Sequence, residues 1–197
     1  MRILILPACL GLSLICLAQD AKMMQAIQIQ EFGDPQVLQV EEISIPAPGP
    51  RELLLRVHAA AVNPVDTSIR AGRAGGLSGA KLPYVPGFDA SGVVAAIGSE
   101  VGRFQVGDEV FAMLNLRRGG AYAEYAIVLE EEAAFKPPRV SHAEAAAIPL
   151  VALTAWQALF EVAKLQKDQT ILIHAGAGGV GSIAVQLAKW RGAHVIA

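Results

Sequence analysis

The residues with the most recognisable chemistry lie near the end of the chain. Gly176-Ala177-Gly178-Gly179-Val180-Gly181 fits the spacing G-x-G-x-x-G. Before it runs Ile171-Leu172-Ile173, an apolar stretch suited to a buried parallel strand. After it Ile183, Ala184, Leu187, Ala188 and Trp190 recur at helical spacing, and Gly192 stands where a helix C-cap is expected. His194 to Ala197 then suits a second strand. In this arrangement Gly176 permits a sharp turn, Gly178 lets the backbone approach a diphosphate, and Gly181 lets the helix pack closely on the strand. The helix N-terminus offers free N–H groups and the positive end of a dipole. The glycines alone are weak evidence. Their placement as strand–turn–helix–strand within about 30 residues points to a dinucleotide-binding unit.

Other elements must hold a substrate against that turn. Ala26 to Gln30 alternates as a half-buried strand, Gly33-Asp34-Pro35 turns, and Val37 to Ile43 alternates again and should pair back. Pro46, Pro48, Gly49 and Pro50 break the chain before a third strand, Glu52 to Val62. Asn63-Pro64-Val65-Asp66 opens a short helix through Arg70, with Pro64 at its first position. Gly72 to Ala80 suits a surface loop. Strands follow at Ser91–Ile97, Glu109–Met113 and Ala121–Val128, with Gly/Pro turns between them. That spacing predicts a compact β-barrel-like domain. Beyond Pro137-Pro138 the chain becomes alanine-rich. Ser141 and Glu144 form a capping box, and Pro149 opens a helix running to about Lys164. A domain boundary is expected near Ala147, dividing residues 23–147 from 148–197. Overall the pattern is α+β followed by the start of a doubly wound α/β unit.

Composition narrows the function classes. The 197 residues are 53% apolar and 17% charged, a globular balance, and a formal charge of -2 gives no electrostatic case for nucleic acid. Both cysteines, Cys9 and Cys16, fall in the first twenty residues, so the body has no disulfide and no cysteine metal site. Residues 1–22 have the form of a signal peptide: Arg2, an apolar run from Ile3 to Ala18 too short for a confident membrane span, and a small-x-small end at Cys16-Leu17-Ala18. Export, to the periplasm, is expected if that signal is used, and a cytoplasmic site if translation starts at Met23 or Met24. No stable membrane span is expected once the signal is removed.

From Met24 to Ala197 the chain resembles the medium-chain dehydrogenase/reductase superfamily, in its zinc-independent NADPH:quinone oxidoreductase branch (the zeta-crystallin-like group). The ordered set AAAVNPVDTSIRAG, PYVPGFDASGVVAAIG, VGDEVFA, GAYAEYAIV, AAAIPLVALTAWQAL and IHAGAGGVGSIAVQLAKWRGAHVIA carries the resemblance. It implies a GroES-like catalytic domain followed by a Rossmann domain, with substrate and nicotinamide in the cleft between them. Zinc-dependent members place a Cys where Asn63 stands and His-Glu where Phe88-Asp89 stands. Asn and Phe supply neither thiolate nor imidazole, and catalytic zinc needs about three protein ligands, so no metal is expected. The four histidines, His58, His142, His174 and His194, show no ligand spacing.

The resemblance implies hydride transfer from NADP(H), with NAD(H) left open, to a quinone or a similar small-molecule electron acceptor. It places Asn63 and Asp66 in the cleft as catalytic candidates, with Asn63 bonding a carbonyl acceptor or the carboxamide. Asp66 and Arg70 can equally form a structural pair. Thr154 matches a position contacting the nicotinamide end, whereas Trp156 is expected in the core. Gly176, Ala177, Gly178, Gly179, Val180 and Gly181 would hold the diphosphate. Many quinone reductases have a Tyr where this chain has Ser68, and related enoyl reductases also place a Tyr in this region as proton donor or orienter. Ser68 is a much poorer acid, which weakens the alternative of an enoyl-thioester reductase, and Tyr84 is expected to be a packed loop residue. A third alternative is a non-catalytic nucleotide-binding or crystallin-like structural protein. Two of about six Rossmann strands are recognisable, and the residue that selects NAD or NADP falls past Ala197. A C-terminally truncated sequence, inactive by itself and homodimeric when full length, is therefore expected.

Overall fold

The computed structural model describes residues 22–73 and 80–197. The expected signal segment through Ala21 and most of the expected loop at 74–79 lie outside the described residues. Strands β1 (Met23–Gln28) and β2 (Gln39–Ser44) form an antiparallel hairpin. Strands β3 (Glu52–Ala61), β4 (Asp89–Ile97), β5 (Glu109–Met113), β6 (Tyr125–Leu129) and β7 (Ala133–Phe135) form an antiparallel sheet in the order β6-β3-β4-β5-β7. The hairpin is tied to the rest by bridges from Ala26 to Ala123 and from Ile29 to Tyr84. Alternate residues of the sheet, Leu53, Leu55, Val94, Val110 and Val128 among them, bury one core, as period-2 patterning requires. β6 begins four residues later than its apolar run suggests, because the backbone of Tyr122 and Glu124 bonds to the hairpin instead. β7 was not expected; three residues give too little alternation to recognise.

Register brings the polar residues together. Ala61 of β3 pairs with Asp89 of β4, and Asp89 with Met113 of β5. Asn63 follows Ala61 by two residues and opens helix α1 (Pro64–Arg70). Helix α2 (His142–Ala146) starts with the expected box: the Glu144 N–H donates to Ser141 Oγ at 3.2 Å, and the Ser141 N–H to Glu144 Oε2 at 2.8 Å. Helix α3 (Pro149–Trp156) follows and widens into a π-helical turn at Gln157–Val162. That wide turn replaces the expected regular helix to Lys164, and it lets Leu159 and Leu165 both reach the second core.

Strand β8 (Thr170–Leu172), helix α4 (Gly179–Trp190) and strand β9 (His194–Ile196) form the expected unit, with β8 and β9 parallel. Ala184 and Ala188 of α4 pack on Ala155, Leu159 and Ile173. Trp190 departs from the expected buried face. It is 70% exposed and Trp156 43%. Both pack edge-on against Phe160, with ring centroids 6.3 and 4.7 Å away. Trp156 is thus at the surface and not in the core.

Candidate functional site

The site grows from two buried carboxylates, Asp66 and Asp89, and the three residues that donate to them. Asp66 and Asp89 are 4% and 0% exposed, and neither has an ion pair among the described residues. Each of their four oxygens accepts one N–H instead. Asp66 Oδ2 takes the Asn63 backbone N–H at 2.6 Å, and Oδ1 takes that of Gly87 at 3.1 Å. Asp89 Oδ2 takes the Asn63 side-chain Nδ2–H at 2.9 Å, and Oδ1 takes the Leu150 backbone N–H at 2.9 Å. The donors come from the start of α1, the Pro86-Gly87 turn and the start of α3. The carboxylates therefore fasten the sheet, α1 and α3 at one point. They also satisfy helix-start N–H groups that would otherwise be orphaned. Ile148, the residue before α3, has no capping side chain, so Asp89 caps α3 from 61 residues away.

Charge without a cation has a cost. Burial pushes the Asp89 carboxyl up to about 6, against the pull of Asn63 and the Leu150 N–H, and the charge of Asp66 adds to the rise. Burial likewise raises Asp66, against the lowering effect of the Asn63 N–H, the Tyr122 hydroxyl and the Gly87 N–H. Tyr122 lies over this pair and its phenol is held above its ordinary value, first by burial and then by the charge of Asp66. Its Oη also donates to Ala61 O at 3.3 Å. Buried, mutually repelling carboxylates of this kind cluster at functional sites. Sequence reasoning missed Asp89 and Tyr122 as members. Asp89 carried a signal, standing next to the Phe that replaces a zinc ligand.

The other expected residues divide. Asn63 is 6% exposed, with Nδ2 committed to Asp89. The expected Asp66–Arg70 pair does not form; the Arg70 Nε–H donates to Gly33 O at 3.2 Å. Thr154 is exposed on α3, one turn past Leu150, and its Oγ1–H donates to Leu150 O at 2.7 Å. Ser68 Oγ donates back to Pro64 O at 3.2 Å. Tyr84 is buried and donates to Leu116 O, as a packed loop residue should. The fold also stacks His58 on His142, ring centroids 4.5 Å apart, although sequence spacing separates them; no group of three or more ligating side chains occurs among the described residues.

The glycine turn is exposed from Ala177 to Val180, and Gly181 behind it is buried. The N–H groups of Gly179, Val180 and Gly181 donate to no acceptor among the described residues, while the Ser182 N–H already bonds Gly178 O. These are the orphan donors of a helix N-terminus, and they suit an anion. A Cβ at Gly181 would lie 2.1 Å from Ala175 O, so the close packing expected there is real. The left-handed residue of the turn is Ala175 (φ 55), whereas Gly176 is needed because a Cβ would press on Ala197 of the β9 end. Gly179 abuts Val151, where an added Cβ would come within 3.1 Å of Cγ1. Val151 follows Leu150, so the turn connects through α3 to Asp89 and Asn63.

Cavity size does not mark this place. Hollows of about 700 and 770 Å³ lie between the hairpin and β6, and along β5 and α3, and neither is lined by Asn63 or the turn. A cavity of about 510 Å³ borders Gly178–Gly181, but its walls are mostly Ala155, Leu159, Ile171 and other apolar groups. The unmade N–H groups and the buried carboxylates are the stronger markers, because they carry the chemistry. Among the described residues no helix is long and apolar enough to cross a membrane.

Comparison with known proteins agrees with this architecture. Residues 49–139 match the alcohol dehydrogenase GroES-like domain. The chain is 45% identical over 183 residues to a chloroplastic quinone-oxidoreductase homolog of Spinacia oleracea, covering 90% of this chain and 56% of that protein. It superposes on the quinone oxidoreductase of Coxiella burnetii with a TM-score of 0.82 at 37% identity, covering 88% of this chain and 56% of that one. A mycobacterial protein complexed with NADPH gives a TM-score of 0.77 at 38% identity, covering 87% and 51%. The chain thus spans about half the length of the relatives it matches. With its antiparallel sheet and its β–α–β glycine turn, the chain is thus similar over about 90% of its length to quinone oxidoreductases, and its residues 49–139 match the GroES-like domain of alcohol dehydrogenases.

Proposed function

We propose that the protein binds a nicotinamide dinucleotide, NADPH in preference to NADH, and reduces a quinone or a similarly electron-poor carbonyl or alkene acceptor without zinc. The observation that carries this reading is the set of three unmade N–H groups at Gly179, Val180 and Gly181, joined through Val151 and Leu150 to Asp89 and Asn63. Those N–H groups hold the diphosphate. Gly178 leaves its path clear, and Ala177 lies beside it. The bound cofactor supplies a hydride, which with one proton from solvent converts a quinone to its hydroquinone. The chain contributes binding and orientation. Asn63 bonds the carboxamide or the acceptor, Thr154 lies towards the nicotinamide end, and Asp66 positions Asn63 through its backbone N–H. Asn63 and Phe88 supply no thiolate or imidazole, which supports the absence of zinc. The same reading takes residues 23–147 as the catalytic domain and the assembled protein as a homodimer.

The choice of a quinone rests on the named relatives, and NADPH on the complexed mycobacterial neighbour. Ser68, hydrogen-bonded back into α1, offers no proton to an enoyl substrate and disfavours that alternative. Loss of nicotinamide absorbance on mixing the protein with NADPH and a benzoquinone tests the reading. Quinone-dependent oxidation is expected. Tight cofactor binding with no turnover of a quinone, an enone or an enoyl thioester would favour a non-catalytic role.

A further inference from the structure

We propose that Asp89 is a positioning residue that sets which end of the Asn63 amide faces the cofactor. This rests on the cofactor site proposed above. The two Asp89 oxygens are taken, one by Leu150 N–H and one by Asn63 Nδ2, both at 2.9 Å. A carboxylate only accepts, so it draws the NH₂ end of Asn63 inward. Oδ1 is then turned the other way. Among the described residues it makes no hydrogen bond, and it is not fully enclosed although Asn63 as a whole is only 6% exposed. An outward oxygen selects a donor, and the carboxamide NH₂ of a nicotinamide is one.

A neutral partner at 89 reverses this polarity. Protonated at Oδ2, Asp89 donates to Asn63 Oδ1, and the amide rotates to present its NH₂ outward. Leu150 N–H keeps Oδ1 of Asp89 in both states. The groups facing Asp89 are Asn63 and Asp66 from α1, Tyr122 from the segment before β6, and the α3 N-terminus; Ala61 and Met113, its neighbours across the sheet, carry no charge. With burial holding Asp89 near 6, the exchange falls within a pH range where the protein can be handled.

The test compares NADPH with its 3-acetylpyridine analogue, in which a methyl group replaces the amide NH₂ and no donor remains. Dissociation constants are measured for the wild-type protein and Asp89→Asn from pH 5 to 8. At pH 8 the wild-type should favour NADPH by about tenfold, the typical effect of one hydrogen bond. The preference should fade as the pH drops through about 6. Asp89→Asn should show little preference at any pH, because its own NH₂ meets Asn63 Oδ1. The wild-type titration needs no variant and so survives a folding defect. A wild-type preference unchanged from pH 5 to 8, or Asp89→Asn behaving as wild-type, overturns the role of Asp89 while leaving the cofactor site standing. Binding of neither nucleotide overturns both.

Discussion

The Asn63 side-chain nitrogen lies 2.9 Å from Asp89 Oδ2, and no cation pairs with Asp89 among the described residues. One residue opens α1 and the other begins β4, and the bond between them is repeated from Asp89 to the first turn of α3. A single buried carboxylate thus ties the sheet to the helix that packs against the glycine turn. The polar residues of the site are structural ties.

Asn63→Ala removes the donor and leaves Asp89 Oδ2 buried without a partner. The expected loss of stability is about 1–3 kcal/mol, read from a denaturant midpoint. Turnover should fall by about a hundredfold and NADPH affinity by about tenfold, since orientation of the ring suffers more than its binding. A larger effect on affinity than on turnover would remove the orienting role.

Two glycines of the turn separate folding from binding. Gly181→Ala places a Cβ 2.1 Å from the Ala175 carbonyl oxygen and should destabilise by about 1–3 kcal/mol. Gly178 has ordinary extended angles, and its added Cβ would meet Ala175 O at a tolerable 3.3 Å. Gly178→Ala should therefore cost less than about 1 kcal/mol in thermal unfolding. Its NADPH dissociation constant should nevertheless rise about tenfold, because the methyl group intrudes on the diphosphate path. Unchanged binding by a folded Gly178→Ala protein would move the diphosphate elsewhere.

The raised Asp89 carboxyl has a definite sign in stability. Between its unfolded value of 3.8 and about 6, the folded state holds the proton that the unfolded state has lost. Stability from this group is therefore greatest at low pH and is lost as the pH rises through that window, by about 3 kcal/mol in all. Asp89→Asn lacks this dependence. The difference in unfolding free energy between variant and wild-type should shift in favour of the variant from pH 4 to pH 7. A shift in the opposite direction would show that Asp89 is held charged in the folded protein.

Much of this was legible in the chain because it depends on local pattern. Alternation marked β1 and β2, Pro64 marked the start of α1, Ser141 and Glu144 marked α2, and the glycine spacing marked the turn before α4. What escaped depends on register and on contacts between distant residues. Asp89 reaches Leu150 only because β4 is paired so that it stands beside the end of β3, and no local pattern encodes that distance. Arg70 was a plausible partner for Asp66 at helical spacing, but backbone N–H groups already fill the carboxylate. Trp190 fitted the helical stripe and still lies exposed, since spacing gives a face but not what covers it.

The central claim is that a dinucleotide diphosphate lies on the N–H groups of Gly179–Gly181 with its nicotinamide directed to Asn63. A structure of the protein with NADPH tests it most directly. The account predicts phosphate oxygens about 2.7–3.2 Å from at least two of those N–H groups and the carboxamide against Asn63 Oδ1. Phosphate density away from the turn, or a nicotinamide remote from Asn63, would contradict it.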